Sequence, residues 1–235
     1  MLRLFVVLFA LVAAAVAADA AAAAAAKPTT TTTHKPTTTT RKVSTTTARR
    51  VTTTTKPSAN MCPKGLLRTE IASILQLHNK LRTQISEGKF VAKGTKMPAS
   101  KKKIANLSWD CKLEQAAAAL AAGCKIVPSM SQKGVNVYFY NGTAALTSTT
   151  GQIATAAGIW AGEFTKYGWP SVNYTTAVAK LGVSEATQMA WAKTRKVGCG
   201  VALCNAKKSA LVVCKYRVAG NKLGMNVYPP KPASG

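Results

Sequence analysis

Acidic residues and histidines are scarce in this sequence. Its 235 residues contain 7 Asp and Glu against 32 Lys and Arg, and only 2 histidines. Calcium sites and glycosidases both need several carboxylates, so the scarcity of Asp and Glu argues against either. One histidine, His34, lies in a Thr-rich tract, which argues against a site with several histidine ligands. We expect no metal or other cofactor, and neither a zinc enzyme nor a catalytic triad.

The basic residues, by contrast, are abundant and are not confined to a tail. The formal net charge is +25, and residues 61–235 alone carry 24 Lys and Arg against 6 Asp and Glu, a balance of +18. A field of this sign attracts nucleic acid, sulfated glycans or anionic lipid. The alternative is a cationic surface that serves only solubility, and composition does not decide between the two.

The N-terminus indicates export. Arg3 precedes an apolar stretch that ends in small residues at Ala15, Ala17 and Ala18, so residues 1–18 are predicted to be a signal peptide. A membrane anchor running on to Ala26 is disfavoured because Asp19 interrupts it. We expect a secreted, extracellular protein that is not an integral membrane protein. Export also disfavours nucleic acid as a partner, and it favours three disulfides over zinc ligands for the six cysteines.

Low complexity follows the predicted signal peptide. Residues 19–60 are an Ala run and then a segment rich in Thr, Lys and Pro, without the apolar residues that would offset the entropy of ordering a backbone. Hydroxyls this dense beside prolines suit O-glycosylation, and a plain disordered spacer is the alternative.

From Cys62 onward the patterns predict a packed domain. Apolar stripes at helical spacing predict helices from Thr69 to Gly88, from Ser108 to Gly123 and from about Thr150 to Gly168. Apolar and β-branched runs predict strands at 136–140, 187–204 and 210–216. Helices before, between and outside strands favour an α+β fold with a sheet covered by helices.

Five motifs in this region resemble, in order, those of the CAP superfamily of cysteine-rich secretory, antigen 5 and pathogenesis-related-one proteins. The motifs are His78-Asn79-Lys80-Leu81-Arg82, Trp109-Asp110-Cys111, Ala186-Thr187-Gln188-Met189-Ala190-Trp191-Ala192, Val197-Gly198-Cys199-Gly200-Val201, and Val213-Cys214-Lys215-Tyr216 with Ala219-Gly220-Asn221. They look most like the nematode venom-allergen-like, or activation-associated secreted, branch.

The resemblance implies an architecture. Residues 61–230 would form a three-layer α-β-α sandwich (the CAP fold) with a central antiparallel sheet, stabilised by disulfides, and 231–235 a short tail. By analogy Cys199 pairs with Cys214. The remaining pairs, Cys62 with Cys124 and Cys111 with Cys204, are a weaker expectation.

The resemblance also bears on chemistry. Many relatives line a central cavity with two histidines and two acids that can hold zinc. The matching positions here are Pro128, Val135, Glu163 and Glu185, of which only Glu163 keeps the family identity. Proline and valine neither bind a metal nor move a proton, so we expect no metal site and no catalytic residue. His78 is expected to pack structurally in the first helix.

These observations predict a secreted, non-enzymatic protein that acts by binding a host or other extracellular protein, or a lipid or sterol. The alternative is binding of polyanions such as sulfated glycans, through Lys101, Lys102, Lys103, Lys193, Arg195 and Lys196. A zinc-dependent or proteolytic enzyme is the least favoured interpretation. The sequence does not decide between monomer and dimer.

Three sequons would carry N-linked glycans in an exported chain. They begin at Asn106, Asn141 and Asn173, and Asn141, at a predicted turn, is the best candidate.

Overall fold

The computed structural model describes residues 61–126 and 133–232. The predicted signal peptide 1–18, the segment 19–60, Pro128 and residues 233–235 of the tail lie outside the described residues. No helix in the described ranges has the length and apolarity that a membrane crossing requires.

Five helices and six strands make up the described chain. The helices are α1 (Arg68–Ser86), α2 (Cys111–Ala122), α3 (Gln152–Tyr167), α4 (Thr176–Lys180) and α5 (Ser184–Ala190). The strands are β1 (Val91–Ala92), β2 (Thr95–Lys96), β3 (Ser108–Trp109), β4 (Val135–Asn141), β5 (Lys196–Cys204) and β6 (Ser209–Arg217).

A four-stranded sheet in the order β3-β5-β6-β4 forms the centre. Strand β6 pairs antiparallel with both β5 and β4, while the two residues of β3 pair parallel with β5. The three long strands are thus antiparallel, as expected, and β3 adds a short parallel edge. Strands β1 and β2 form a separate small hairpin.

Helices cover both faces of this sheet. Side chains alternate along β6: Val212 and Cys214 belong to the large core with α1, α3 and α5, whereas Leu211 and Val213 pack against α2. This alternation follows from the two-residue repeat of a strand. The expected α+β sandwich is confirmed.

Two glycines let α2 lie directly on the sheet. A Cβ added at Gly198 would overlap the backbone of Glu114, and one at Gly200 would overlap that of Ala118. The helix therefore runs in the same direction as β5, with its first turn at Gly198 and its middle at Gly200. Only glycine permits this approach.

The direction of α2 explains the disulfides. The expected Cys199–Cys214 bridge is present, between residues directly opposite each other on β5 and β6. The other two expected pairs are wrong, because the structure joins Cys62 to Cys111 and Cys124 to Cys204. Cys111 begins α2 and Cys124 follows its end, and the 12 residues of the helix span about 18 Å at 1.5 Å per residue, so each cysteine reaches a different neighbour.

Two predicted element boundaries are also wrong. Ser108 does not open a helix: it lies in β3, and α2 begins after Asp110, whose Oδ1 accepts hydrogen bonds from the backbone of Lys112 and Leu113. The run 187–204 is not one strand, since 187–190 belong to α5. A short apolar run does not by itself distinguish a buried helix from a strand.

Candidate functional site

Glu163 and Glu185 meet where α3 touches the start of α5. Glu163 stands one turn beyond the buried Trp160 on α3, and its Oε2 accepts a hydrogen bond of 2.9 Å from the backbone N–H of Ala186. Glu185 precedes Ala186 in the first turn of α5. Two of the four cavity positions named from the sequence are thus brought together.

Burial, and then the negative charge of Glu185, raise the pKa of Glu163 from its ordinary value of 4.5 to about 9. Glu163 is therefore protonated near neutral pH, and the pair carries one negative charge at most.

A chain of hydrogen bonds runs beneath this pair. The amide nitrogen of Asn136 donates to the backbone carbonyl of Glu185 at 3.0 Å and to the hydroxyl of Tyr216 at 3.1 Å. The Tyr216 hydroxyl lies 2.8 Å from Nε2 of His78, and Nδ1 of His78 lies 2.8 Å from the carbonyl of Ile74. The chain links α1, β6, β4 and α5 through buried polar groups.

The partners of His78 fix its state. A carbonyl oxygen only accepts, so Nδ1 carries the proton and Nε2 accepts from Tyr216. Burial lowers the pKa of His78 to about 4, which keeps the ring neutral. Burial also raises the pKa of Tyr216, so its hydroxyl keeps the proton that it donates. Both ring nitrogens are thus engaged, and His78 is structural, as its motif position implied.

Of the other two cavity positions, Val135 is described by the structure and does not join the pair. Val135 is buried on the opposite face of the sheet, in the cluster around α2 with Ala117 and Leu211. Its neighbour Asn136 points the other way and makes the contacts described above. Pro128 lies outside the described residues.

The assembled residues do not fit a zinc ion. They offer Glu163, whose raised pKa keeps it protonated near neutral pH, one further carboxyl group, and an imidazole whose nitrogens are both engaged, whereas zinc sites use several deprotonated ligands. In the described ranges, a single group of three potential ligands comes together, namely Cys62, Cys111 and Glu114. Cys62 and Cys111 are joined in a disulfide and offer no thiolate.

Comparisons with known proteins agree with the fold. Residues 75–216 match the profile of the CAP family, described as the cysteine-rich secretory protein family. This chain is a member of that family. It is 30% identical to venom allergen 5 of Polybia paulista, over 75% of this chain and 89% of that protein. It is 29% identical to the Ancylostoma secreted protein of Ancylostoma caninum, over 73% of this chain and 42% of that longer protein.

Solved structures give the same result. BmVAL-1 superposes with a TM-score of 0.65 at 36% identity, over 72% of this chain and 87% of that one. NaASP2, solved with Zn²⁺, gives a TM-score of 0.63 at 27% identity, over 72% and 90%.

Motif residues of this CAP domain that are not in the pair hold the fold together. Arg82 is fully buried and donates to four backbone carbonyls, those of Ala105, Met189, Trp191 and Thr194. Three of these carbonyls belong to the loop before β3 and to the segment between α5 and β5, and that of Met189 belongs to the last turn of α5. One guanidinium therefore fixes both segments against α1.

The same two segments carry the predicted polyanion contacts, and all six of those side chains are exposed. The backbone N–H of Lys101 donates to the carbonyl of Pro229 at 2.8 Å, and that of Ala192 donates to the carbonyl of Val227 at 2.7 Å. The Lys101 and Lys193 loops are therefore bonded to two carbonyls that are only two positions apart in the segment 227–231. Ser108, which donates to the Arg195 carbonyl at 3.0 Å, is a second link.

Sequence reasoning missed one member of this surface. Lys231 was assigned to a short tail, but its backbone N–H donates to the carbonyl of Ala99 at 2.7 Å. We call Lys101, Lys102, Lys103, Lys193, Arg195, Lys196 and Lys231 the basic surface. An isolated lysine after two prolines carries no sequence signal that would have placed it there.

The three sequons differ in accessibility. Asn106 and Asn141 are exposed, whereas Asn173 is half-buried and donates from its amide nitrogen to the carbonyl of Gly224 at 3.1 Å. A glycan on Asn173 would replace a hydrogen of that same nitrogen.

Proposed function

We propose that this protein is a secreted CAP protein that acts by binding in the extracellular space and catalyses no reaction. The observation that carries this proposal is the geometry of the central site: Glu163 accepts a hydrogen bond from the backbone N–H of Ala186, and both ring nitrogens of His78 are engaged. The CAP family consists generally of non-enzymatic secreted proteins, which supports the same conclusion.

Among the described residues, the central site holds no histidine with a free ring nitrogen to serve as a base for hydrolysis. An activated nucleophile needs a base within hydrogen-bonding reach, and the imidazole here accepts from Tyr216 at 2.8 Å, in the core. The related NaASP2 was solved with Zn²⁺. Zinc titration by calorimetry on this protein, beside its Glu163→Gln variant, tests the contrast. Micromolar zinc binding, or peptide hydrolysis, that is lost in the variant would contradict the proposal.

For the ligand itself, we propose an extracellular protein, or a lipid or sterol. A cavity of about 590 Å³ between residues 62–66, α2 and β5 supports the apolar ligand, because Leu66, Ala118 and Val201 contribute to its walls. This volume falls in the range of pockets that hold small molecules.

A bulky substitution that fills this cavity tests whether it binds a lipid or sterol. Ala118→Phe is expected to abolish binding of a fluorescent sterol or fatty acid measured at high salt, while Ala119→Phe, on the exposed side of the same helix, keeps it. Native mass spectrometry of the secreted protein would show a copurified lipid directly. If the unaltered protein binds no lipid or sterol, that alternative is excluded and an extracellular protein remains the proposed ligand.

A second candidate function is favoured by the basic surface. Two clusters about ninety residues apart in sequence, around Lys101 and Lys193, meet at residues 227–231, which suits a linear polyanion such as a sulfated glycan. Binding of this kind weakens steeply with salt. Retention on heparin above physiological salt would support it, and elution without retention would exclude it.

A further inference from the structure

We propose that Lys101, Lys103 and Lys231 form a binding pocket for one sulfate group of an anionic glycan. This inference rests on the second candidate function and adds a defined site to it. The three side chains line a pocket of about 280 Å³ together with Thr83, Ser86 and Ser100. A volume of this size holds several water molecules or one tetrahedral oxyanion with part of its hydration shell.

The backbone presents two of these lysines on one face. Ser100 and Pro230 form an antiparallel bridge, flanked by the hydrogen bonds of Lys101 to Pro229 and of Lys231 to Ala99. Side chains in such a pairing alternate between faces, so the residues on either side of the bridged pair share the face opposite to it. Lys101 and Lys231 therefore project to the same side, although 130 positions separate them in the sequence.

The hydroxyl groups of the pocket wall are held in place. The Ser86 hydroxyl donates to the carbonyl of Arg82 at 2.8 Å and accepts from the N–H of Ile104 at 2.9 Å. The Ser100 hydroxyl donates to the Pro229 carbonyl at 3.2 Å. These bonds fix the loop that carries Lys101 and Lys103 against the end of α1. The lysine stems thus start from a wall that is ordered before any ligand arrives.

The charge of the pocket favours an anion. Three ammonium groups line it against one carboxylate, Glu87, and that carboxylate lies 2.9 Å from the ammonium of Lys89. Lysine binds sulfate and phosphate as a point charge, and several lysines around one oxyanion add their attractions. Ala192, the residue before Lys193, is bonded to the Val227 carbonyl, two positions from the Pro229 carbonyl that binds Lys101, so a polymer seated here has a further cation for its next charged group.

The test compares two triple variants of equal charge. One changes Lys101, Lys103 and Lys231 to Gln, and the control changes Lys180, Lys207 and Lys208 to Gln, three exposed lysines that do not line the pocket. Affinity for a heparin oligosaccharide at physiological salt is expected to fall on the order of tenfold more in the first than in the control. Lys→Arg changes at the three pocket positions keep the charge and should retain binding, and Glu87→Gln should strengthen it.

Each other outcome is informative. Equal weakening in both triple variants would overturn the pocket while leaving polyanion binding by the whole surface intact. Failure of the unaltered protein to bind heparin would overturn both proposals. Equal binding of fully desulfated heparin would show that sulfate is not the group recognised. The three lysine side chains are exposed, and their backbone hydrogen bonds persist in the variants, so unchanged thermal unfolding is expected.

Discussion

Tyr216 donates its hydroxyl proton to Nε2 of His78 across 2.8 Å, and this contact joins the last strand of the sheet to the first helix. The same hydroxyl accepts from the amide of Asn136. One phenol thus satisfies two buried polar groups on two different elements.

Replacing Tyr216 by Phe should therefore destabilise the fold. The change leaves Nε2 of His78 and one N–H of Asn136 buried without partners, at a cost of about 1–3 kcal/mol in the free energy of unfolding. Urea denaturation measures the effect. Tyr167→Phe, at a position with 39% of the residue exposed, is the matched control and should change stability little. Equal stability of the two variants would contradict the hydrogen-bond chain.

Glu163 should lower the free energy of unfolding as the pH rises from about 5 to about 9, and above about 6.5 His78 makes no opposing contribution. Unfolded Glu163 loses its proton near 4.5, whereas the folded protein holds it to about 9, so over this interval the folded state binds more protons. Stability falls with pH wherever the folded state binds more protons. Glu163→Gln, which keeps an oxygen acceptor for Ala186, should flatten this slope. A slope unchanged by Glu163→Gln would contradict the raised pKa of Glu163.

His78 should make the free energy of unfolding rise with pH between about 4 and 6.5. Its pKa is about 4 in the folded protein and 6.5 in its ordinary state, so its contribution is complete above 6.5 and is lost as the pH falls towards 4. NMR titration should show a histidine whose ring signals do not move between pH 5.5 and 8. The signal is assigned by its absence from a His78→Gln variant. A midpoint near 6.5 would contradict burial of the neutral ring.

Arg82 should be among the most sensitive positions. Arg82→Met keeps much of the stem but leaves four carbonyls without their donor, and we expect a loss of about 3 kcal/mol or more in the free energy of unfolding. Arg82→Lys should recover only part of this, because one ammonium does not reproduce the planar fork of a guanidinium. Thermal unfolding of both variants beside Arg68→Met, at the exposed start of α1, provides the comparison. Stability of Arg82→Met within experimental error of the control would refute this role.

Glycan mapping of the secreted protein should find modification at Asn141 and Asn106 but not at Asn173. The first two side chains are exposed, and the third uses its amide nitrogen in a bond to Gly224. Mass spectrometry of peptides after enzymatic deglycosylation in heavy-oxygen water measures occupancy at each site. A fully occupied Asn173 would contradict this expectation.

Much of the fold could be predicted because its signals are local or are carried by motifs. The stripe along α1 and the β-branched runs of β4 and β6 each follow from a period of a few residues. The disulfides of Cys62 and Cys124 could not be predicted in this way. Their partners depend on the direction in which α2 crosses the sheet, which is set by contacts at Gly198 and Gly200.

The candidate site, too, could be predicted only where its signals are carried by motifs. The motif positions predict Glu163 and Glu185 as cavity residues, but the hydrogen bond from Ala186 to Glu163 depends on how α3 and α5 approach each other, which no spacing encodes. Lys231 is the clearest case. It becomes a neighbour of Lys101 only through the pairing of Ser100 with Pro230, a contact between residues 130 positions apart.

Disulfides attach both ends of α2 to the rest of the domain, through Cys111 at its first residue and Cys124 just after its last. While these two disulfides persist, α2 therefore cannot separate from the sheet as a whole. Amide protons along α2 should exchange with solvent only when the whole oxidised domain opens, and reduction should free the helix for exchange by local opening.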